Sequence, residues 1–325
     1  MTQEAATTAP EDRAALPQSV PRVSVVICCY RDDRFELLQA AIGSAQRQTL
    51  PPHEVIVVVD HNDRLEQRVR AVCTDIIVLP NTEDKGPSGA RNVGVKAATG
   101  EIVAFLDDDA IAEPDWLLRL VEPYCEPTVL GVGGGAVPRW EGDAPNWLPA
   151  EFYWVIGCTW RGLPVVPSNT RNFIGANMSF RRSAYLDVGG LSSDFFVRDR
   201  AINNEETDLC IRLTQRRPHG KLMFLPDVVV GHYVPNERTS VRYFLRRCWL
   251  EGRAKRITTS RVGASAGLSR ERAHVSRVIP TAMLSALRDA VGGKPSALAR
   301  LLALLVGTLV TIVAFLLPTS AASSQ

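Results

Sequence analysis

Three consecutive aspartates, Asp107, Asp108 and Asp109, directly follow the apolar run Ile102–Leu106. A short apolar run of this kind predicts a strand buried on both faces of a parallel α/β sheet. Buried carboxylates must be paired or bind a metal, and ligands bind at the carboxyl ends of such strands, so the pattern indicates a cation site. Carboxylate oxygens suit Mg²⁺ or Mn²⁺, which commonly also contact substrate phosphates. The alternative is an acidic loop in water.

Polar residues also follow the two strands predicted earlier in the chain. Tyr30 and Asp32 come after Val23–Cys29, and Asp60 comes after Glu54–Val59. A strand–helix–strand order of this kind implies right-handed crossovers and a parallel sheet. The other predicted helices and strands are Phe35–Gln46, Leu65–Val72, Ile76–Leu79, Asp115–Tyr124, Val129–Val137, Phe173–Phe180, Tyr185–Gly190, Lys221–Pro226 and Val228–His232.

The segment before the acidic strand combines glycines with basic residues. Gly86 belongs to a predicted turn, Ser88 is the predicted N-cap, and Ala90–Ala98 is the predicted helix. Backbone N–H groups at a helix start, with Lys85 and Arg91 nearby, suit an anion. The alternative is a simple capped helix.

A second acidic group opens the predicted helix Asn203–Leu213. Glu205, Glu206 and Asp208 lie in its first turn, where they complement the helix dipole, which is a sufficient structural explanation. His232 ends the last predicted strand, where it is either a ligand or a packing residue.

Residues 138–172 contain four of the six tryptophans and five prolines, but few regular runs. Long irregular connections are commonly functional or disordered, and aromatic residues argue against disorder. Aromatic faces such as those of Trp154 and Trp160 pack on sugar rings, on lipid headgroups or in an ordinary aromatic core.

Composition sets wider limits on the 325-residue chain. Its seven scattered cysteines include no CxxC pair, which favours reduced cytosolic thiols. Residues 1–20 are polar and predicted to be disordered. No GxGxxG follows the first strand, which argues against a dinucleotide oxidoreductase. No nucleic-acid partner is expected.

The C-terminal region is basic and then apolar. Ser240–Arg277 carries ten Lys/Arg and two acids, so its net charge is +8, and residues 1–239 carry −8. The segment Ser240–Arg261 predicts a basic amphipathic helix on an anionic membrane, or a solvated helix. The uncharged run Leu301–Leu317 predicts a membrane anchor with the body in the cytoplasm, or else a buried helix or a hairpin in the membrane plane.

The order of these motifs resembles that of family 2 glycosyltransferases with the GT-A fold. The motifs are VSVVICCY, EVIVVVD, KGPSGARNVGVKAATGEIVAFLDDDA, GANMSFRR and EETDLCIRL, and the resemblance covers roughly Val23–Val234. The region 140–180 looks closest to the lipid-linked subgroup typified by dolichyl-phosphate glucuronosyltransferases. The resemblance implies a Rossmann-like, mostly parallel central sheet flanked by helices, and inverting transfer from a nucleotide sugar.

The resemblance also implies roles for individual residues. For the nucleotide sugar, taken to be a UDP-sugar, these are Tyr30, Asp32, Asp60, Lys85, Gly86, Arg91, Asp107 and Asp108. For Mn²⁺ or Mg²⁺ they are Asp109, Asp107 and His232. For the acceptor they are Asn177, Trp154 and Trp160. The family's general base is usually the aspartate of an ED pair. Glu206 takes that position here, in the pair Glu205-Glu206.

These observations predict a disordered tail at 1–20 and a catalytic domain at 21–235, with a nucleotide-sugar half (21–135) and an acceptor half (136–235). A basic membrane-surface segment (236–296) and an anchor helix (297–318) follow. The expected function is sugar transfer to a lipid-linked or glycan acceptor at the cytoplasmic membrane face. The alternatives are a nucleotidyltransferase and an inactive sugar-nucleotide-binding membrane protein.

Overall fold

The computed structural model describes residues 20–197, 200–201 and 204–317, so nearly all of the predicted tail, together with Asn203 and Pro318, lies outside the described residues. The strands are β1 (Val23–Cys29), β2 (Glu54–Val59), β3 (Ile77–Pro80), β4 (Ile102–Asp107), β5 (Ala110–Ala112), β6 (Val129–Trp140), β7 (Ser168–Asn169), β8 (Asn177–Arg181), β9 (Phe196–Val197), β10 (Arg200–Ala201) and β11 (Lys221–Val234). Nine of them form one sheet in the order β3-β2-β1-β4-β8-β6-β11-β5, with β7 paired to β11.

The helices cover both faces of this sheet and form the C-terminal region. They are α1 (Phe35–Gln46), α2 (Asp63–Val72), α3 (Pro87–Ala97), α4 (Trp116–Val121), α5 (Arg182–Asp187), α6 (Glu205–Arg216), α7 (Val241–Val262), α8 (Ala264–Gly267), α9 (Ser269–Ala273), α10 (Ile279–Val291) and α11 (Ala297–Leu316). Short 3₁₀ segments include Asp32–Arg34, Ala150–Ile156 and Asn236–Thr239, and His274–Val278 is a π-helical turn.

The sheet is parallel in its N-terminal part and mixed beyond it. β1 runs parallel to β2 and β4, and β2 runs parallel to β3. β8 is antiparallel to both β4 and β6, and β11 is parallel to β6. β11 is one strand where two were predicted, because a register shift between Leu225 and Val229 accommodates Pro226.

Successive side chains of a strand point to opposite faces of the sheet, and both faces are buried, so the strands are apolar throughout. In β1, Val25 and Ile27 pack in one buried cluster with α1, whereas Val26 packs in a second cluster with Ala90 of α3. A strand covered by helices on both faces has no polar face, as the apolar sequence runs predicted.

Helix α3 begins earlier than its sequence suggested. Its N-cap is Gly86, with φ 120° and ψ 175°, and Pro87 occupies the first helical position. Proline is favoured there because its fixed φ suits the helix and its missing N–H has no partner to lose. The prediction of Ser88 as N-cap is therefore wrong, and its hydroxyl donates to the Ser192 carbonyl at 2.8 Å.

The C-terminal helices pack on one another and on Ala150–Ile156. Phe244 and Cys248 on α7 are buried in a cluster with Leu304 of α11, and Phe152 packs against Phe244 with the ring planes inclined at 59° and the centroids 5.3 Å apart. The inner apolar face of α7 is therefore covered by protein, and the predicted membrane contact is left to its outer face, where Trp249 is 41% exposed.

Helix α11 is the one helix in the described ranges that is long and apolar enough to cross a membrane. It has 20 residues, a mean hydropathy of 2.3, and only 22% of its most apolar window is buried. Its exposed side chains include Leu298, Leu302, Leu305, Leu309 and Leu316.

Gly252 lies where α7 packs closely on α11. A Cβ at this position would lie 2.2 Å from the Thr311 carbonyl oxygen and 2.8 Å from the Ala314 Cβ. We expect Gly252→Leu to lower the free energy of unfolding by about 1–3 kcal/mol, the usual cost of overpacking. Leucine has a higher helix propensity than glycine, so a loss of stability in this variant would be caused by the clash and not by helix propensity.

The measurement is thermal and denaturant unfolding in detergent. Gly292→Leu is the matched control, because a Cβ there meets no atom closer than 3.4 Å. Equal stability of the two variants would show that α11 does not pack on α7 in this way.

Candidate active site

The ends of β4 and β11 bring together the three predicted metal ligands. Antiparallel pairing of β11 with β5 places His232 opposite Ala110, immediately after the acidic strand end. As a result, ligand atoms of Asp107, Asp109 and His232 all lie within 4.8 Å of one another. Two carboxylate oxygens and an imidazole nitrogen are a donor set that fits a divalent ion such as Mn²⁺, with positions left for phosphate oxygens.

Asp109 is buried among cationic groups. Its carboxylate accepts from Arg34 at 2.9 Å, lies 3.2 Å from His232 Nε2 and lies 3.7 Å from Arg238. Burial opposes the charge of Asp109, but His232 and the two arginines lower the pKa of its carboxyl. Burial likewise opposes the charge of His232, but Asp109 raises the pKa of the imidazole to about 10. The site thus strongly favours positive charge beside Asp109.

Asp108 occupies a different environment from its neighbours. It is 7% exposed, and its Oδ2 atom has no hydrogen-bond partner among the described residues. Burial, together with Asp109, raises its pKa to about 7. It does not line the cavity described below, so its predicted nucleotide contact stays a prediction.

The predicted nucleotide residues lie in the loops after β1 and β2. Asn62 Nδ2 donates to the Tyr30 carbonyl and to the Asp32 carboxylate, both at 3.0 Å, which holds the two loops together. Asp60 accepts from Gly86 N at 2.9 Å and from Asn81 Nδ2 at 2.6 Å. The Gly86 N–H therefore donates to Asp60. An anion at the start of α3, as predicted, would have to be bound by other groups.

Arg91 connects the two acidic groups of the sequence. It is 8% exposed, and its guanidinium donates to Asp107 at 2.9 Å and to Glu205 at 3.2 Å. Burial opposes its charge, yet Asp107 and Glu205 raise its pKa. One arginine on α3 therefore holds the tip of β4 and the start of α6 in a fixed relation.

Glu206 is the member of the pair at the start of α6 that has no cationic partner at hydrogen-bond distance among the described residues. Glu205 pairs with Arg91, whereas burial and the adjacent Glu205 charge raise the pKa of Glu206 to about 8. A carboxylate with a pKa near neutrality is suited to accept a proton from a hydroxyl group.

A cavity of about 360 Å³ is lined by residues from both acidic groups of the sequence. Its walls include Arg91, Asp107, His232, Glu205 and Glu206, with the predicted acceptor residues Trp154 and Trp160. A further part of the wall comes from the C-terminal helices, through Lys255 of α7 and Thr308 and Thr311 of α11.

Asn177 is not part of this cavity wall. It is fully buried, and its amide donates to the carbonyls of Gly135 and Val228 and accepts from Trp116 Nε1, at 2.8, 2.9 and 2.9 Å. We therefore correct its predicted acceptor contact, because every hydrogen-bonding atom of the side chain already joins β8 to neighbouring elements.

Several site residues were missed from sequence. Arg34 and Arg238 reach Asp109 from 75 and more residues away, and Arg171 and Arg270 enter the cavity wall from separate segments. Other arginines near them in the sequence are exposed, so an arginine alone did not indicate which residues would reach the site. Arg238 was the exception, because it closely follows His232, a predicted metal ligand at a strand end.

Comparison with known sequences identifies related chains. The profile of the family described as "Glycosyl transferase family 2" matches residues 24–189, just over half of the chain. A glucosyl-dolichyl phosphate glucuronosyltransferase of Haloferax volcanii is 34% identical over 241 residues, which cover 73% of this chain and 77% of that protein. A pre-mycofactocin glycosyltransferase of Mycobacterium tuberculosis is 32% identical over 59% of this chain and 39% of its own length.

Solved structures show the same fold. A mannosyltransferase from Pyrobaculum calidifontis in complex with GDP-Man and Mn²⁺ superposes with a TM-score of 0.60 at 21% identity, covering 95% of this chain and 90% of that one. GalNAc-T7 with UDP, GalNAc and Mn²⁺ gives a TM-score of 0.51 at 17% identity, covering 74% and 50%. The α/β architecture predicted from the sequence, the GT-A fold, is confirmed.

Proposed function

Because this chain belongs to glycosyl transferase family 2 and is therefore a glycosyltransferase, we propose that it moves one sugar from a UDP-sugar to a lipid-linked acceptor, with inversion and with Mn²⁺ or Mg²⁺. The observation that carries the proposal is the shared cavity: Asp107, His232 and Glu206 line the same cavity, and Arg91 pairs with Asp107 and with Glu205, the neighbour of Glu206.

The donor half of the site would bind a diphosphate. A divalent ion on Asp107, Asp109 and His232 would supply a Lewis acid for the charge that develops on the leaving nucleoside diphosphate. Asp107 and Arg91 form part of the cavity wall, so the transferred sugar would lie beside them. The loops that carry Tyr30, Asp32 and Asp60 would hold the base and ribose, a role that the family resemblance supports.

The acceptor half would supply the base. Glu206 would take the proton from the acceptor hydroxyl as that oxygen attacks the sugar. Direct attack by the acceptor needs no covalent enzyme intermediate and inverts the anomeric centre. The aromatic faces of Trp154 and Trp160 would pack on the acceptor sugar.

The C-terminal helices support a membrane location. The exposed leucines of α11 would lie in the bilayer, and the basic side chains of α7 would face anionic headgroups on the cytoplasmic side. Because α7 and α11 also form part of the cavity wall, a lipid-linked acceptor would reach the site from the membrane.

A donor screen tests the proposal. We expect the purified full chain, with Mn²⁺ and a membrane lipid extract, to release UDP from one member of a panel containing UDP-glucose, UDP-glucuronate, UDP-N-acetylglucosamine and GDP-mannose. Release should stop with EDTA and should fall sharply without the lipid extract. Release of GDP alone would show that the donor is a GDP-sugar and not a UDP-sugar. UDP binding without release from any donor would favour an inactive sugar-nucleotide-binding protein.

A further inference from the structure

A group of four cations, which we call the basic cluster, lines the cavity apart from the metal ligands. Its members are Arg171, Arg247, Lys255 and Arg270. Lys255 pairs with Glu251 at 3.0 Å and with Glu271 at 2.7 Å, and Arg171 pairs with Glu271 through both of its terminal nitrogens. Among the described residues, Glu251 and Glu271 are the carboxylates that pair with the cluster, so Arg247 and Arg270 are a surplus of two positive charges over the carboxylates paired within it.

Arg270 contributes to this surplus. Its guanidinium donates to the Asn172 carbonyl at 3.3 Å and to Thr170 Oγ1 at 2.6 Å, and neither of these groups carries charge. It also lies 5.8 Å from the centre of the Trp160 ring. Burial and the nearby Arg171 lower its pKa to about 10, which is the expected result for a cation that lacks sufficient counter-charge.

Unpaired donors lie in the same wall. Asn204 is 5% exposed, its Oδ1 accepts from Lys255 at 3.0 Å, and its Nδ2 has no partner among the described residues. The Nε atom of Arg247 is likewise buried without a partner in the described ranges, and so is the Nε2 atom of His274, which donates in one of the two neutral tautomers of the ring. Buried polar atoms without partners are uncommon and need an explanation, such as a missing ligand.

We propose that the basic cluster and Asn204 bind a phosphate ester carried by the acceptor. The proposal rests on the proposed glycosyl transfer, and it names the acceptor class as an alkyl glycosyl phosphate. Surplus positive charge with unpaired N–H donors matches phosphate oxygens, which accept several charge-assisted hydrogen bonds at once.

The position of the cluster agrees with that acceptor. Glu206 lines the same cavity as Lys255 and its partner Glu251, so the cluster and the proposed base face one space. The acceptor sugar would then lie between Glu206 and the cluster, with Trp160 at hand. Thr308 and Thr311 continue the wall onto the apolar helix α11, where an alkyl chain would leave the site.

A binding measurement separates this proposal from the donor chemistry. We would titrate hexyl glucosyl phosphate and hexyl glucoside into the full chain by calorimetry, with EDTA present so that no metal attracts the phosphate. We expect the phosphate compound to bind at least about tenfold more tightly, the factor expected from a charge-assisted contact. Equal affinities, or no binding of either compound, would overturn the proposal.

Variants assign the preference to the cluster. Arg270→Gln should reduce the ratio of the two affinities by about tenfold, and Arg272→Gln, an exposed arginine on the same helix, should leave the ratio as in the wild type. Arg247→Gln is the second test if Arg270→Gln fails to fold, and it should lower the ratio in the same direction. A preference that survives both substitutions would place the phosphate elsewhere. If the donor screen fails but the phosphate compound still binds more tightly than the glucoside, the proposed transfer reaction is contradicted and the phosphate subsite is not.

Discussion

Asp109→Ala is expected to reduce the rate of sugar transfer by about 10²- to 10³-fold, the usual cost of losing a group that stabilises developing charge. Asp109 supplies a ligand atom to the Asp107–Asp109–His232 cluster, and its carboxylate also holds Arg34 and His232 in place. Without it, a divalent ion keeps at most two of its three protein ligands. The measurement is nucleoside diphosphate release at saturating donor over a range of Mn²⁺ concentrations.

Two comparisons separate metal binding from folding. Mn²⁺ with nucleotide should raise the melting temperature of the wild type and not that of Asp109→Ala, since a ligand that binds only the native state stabilises it. Asp115→Ala is the matched control, because its side chain is 50% exposed and lies just after the same strand region. Activity of Asp109→Ala within tenfold of the wild type would remove this residue from the metal site.

The elements that form the donor side could be predicted well from sequence. β1, α1 and β2 begin and end at the predicted residues, because each is a short apolar run or a helical repeat bounded by clear turn residues. The convergence of Asp107, Asp109 and Asp60 near one sheet edge then follows from parallel pairing alone, as β1 lies between β2 and β4.

The acceptor side was less predictable because its contacts are tertiary. The acceptor role of Asn177 was predicted from the family resemblance, but its partners are carbonyls on β6 and β11 that no local pattern reveals. The basic cluster likewise combines Arg171, Lys255 and Arg270, which come from three separate segments. The excess charge of 240–277 was visible in the sequence, but its division between the exposed surface and a cavity wall depends on how α7 packs.

Glu206→Gln is expected to reduce transfer to a sugar hydroxyl by about 10²- to 10⁴-fold, the range for loss of a general base. The amide keeps the size of the side chain but cannot accept the proton, and Glu206 is not a member of the Asp107–Asp109–His232 cluster, so donor binding should persist. Initial rates and calorimetric donor affinity measure the two effects. Glu206→Asp is the matched control, since it retains a carboxylate and should retain measurable activity.

The pH dependence of the transfer rate tests the role of Glu206 as the base more directly. The pKa of Glu206 is raised to about 8, so the carboxyl is largely protonated at pH 6 and cannot act as a base. The wild-type rate should therefore rise about tenfold per pH unit between pH 6 and pH 7 and level off above pH 8. Glu206→Gln should lack this rise, whereas a change confined to folding would leave its shape unaltered. Persistence of the rise in Glu206→Gln would move the base to another group in the cavity, with Glu205 the first to test because it lies beside Glu206 and keeps one carboxylate oxygen unpaired among the described residues.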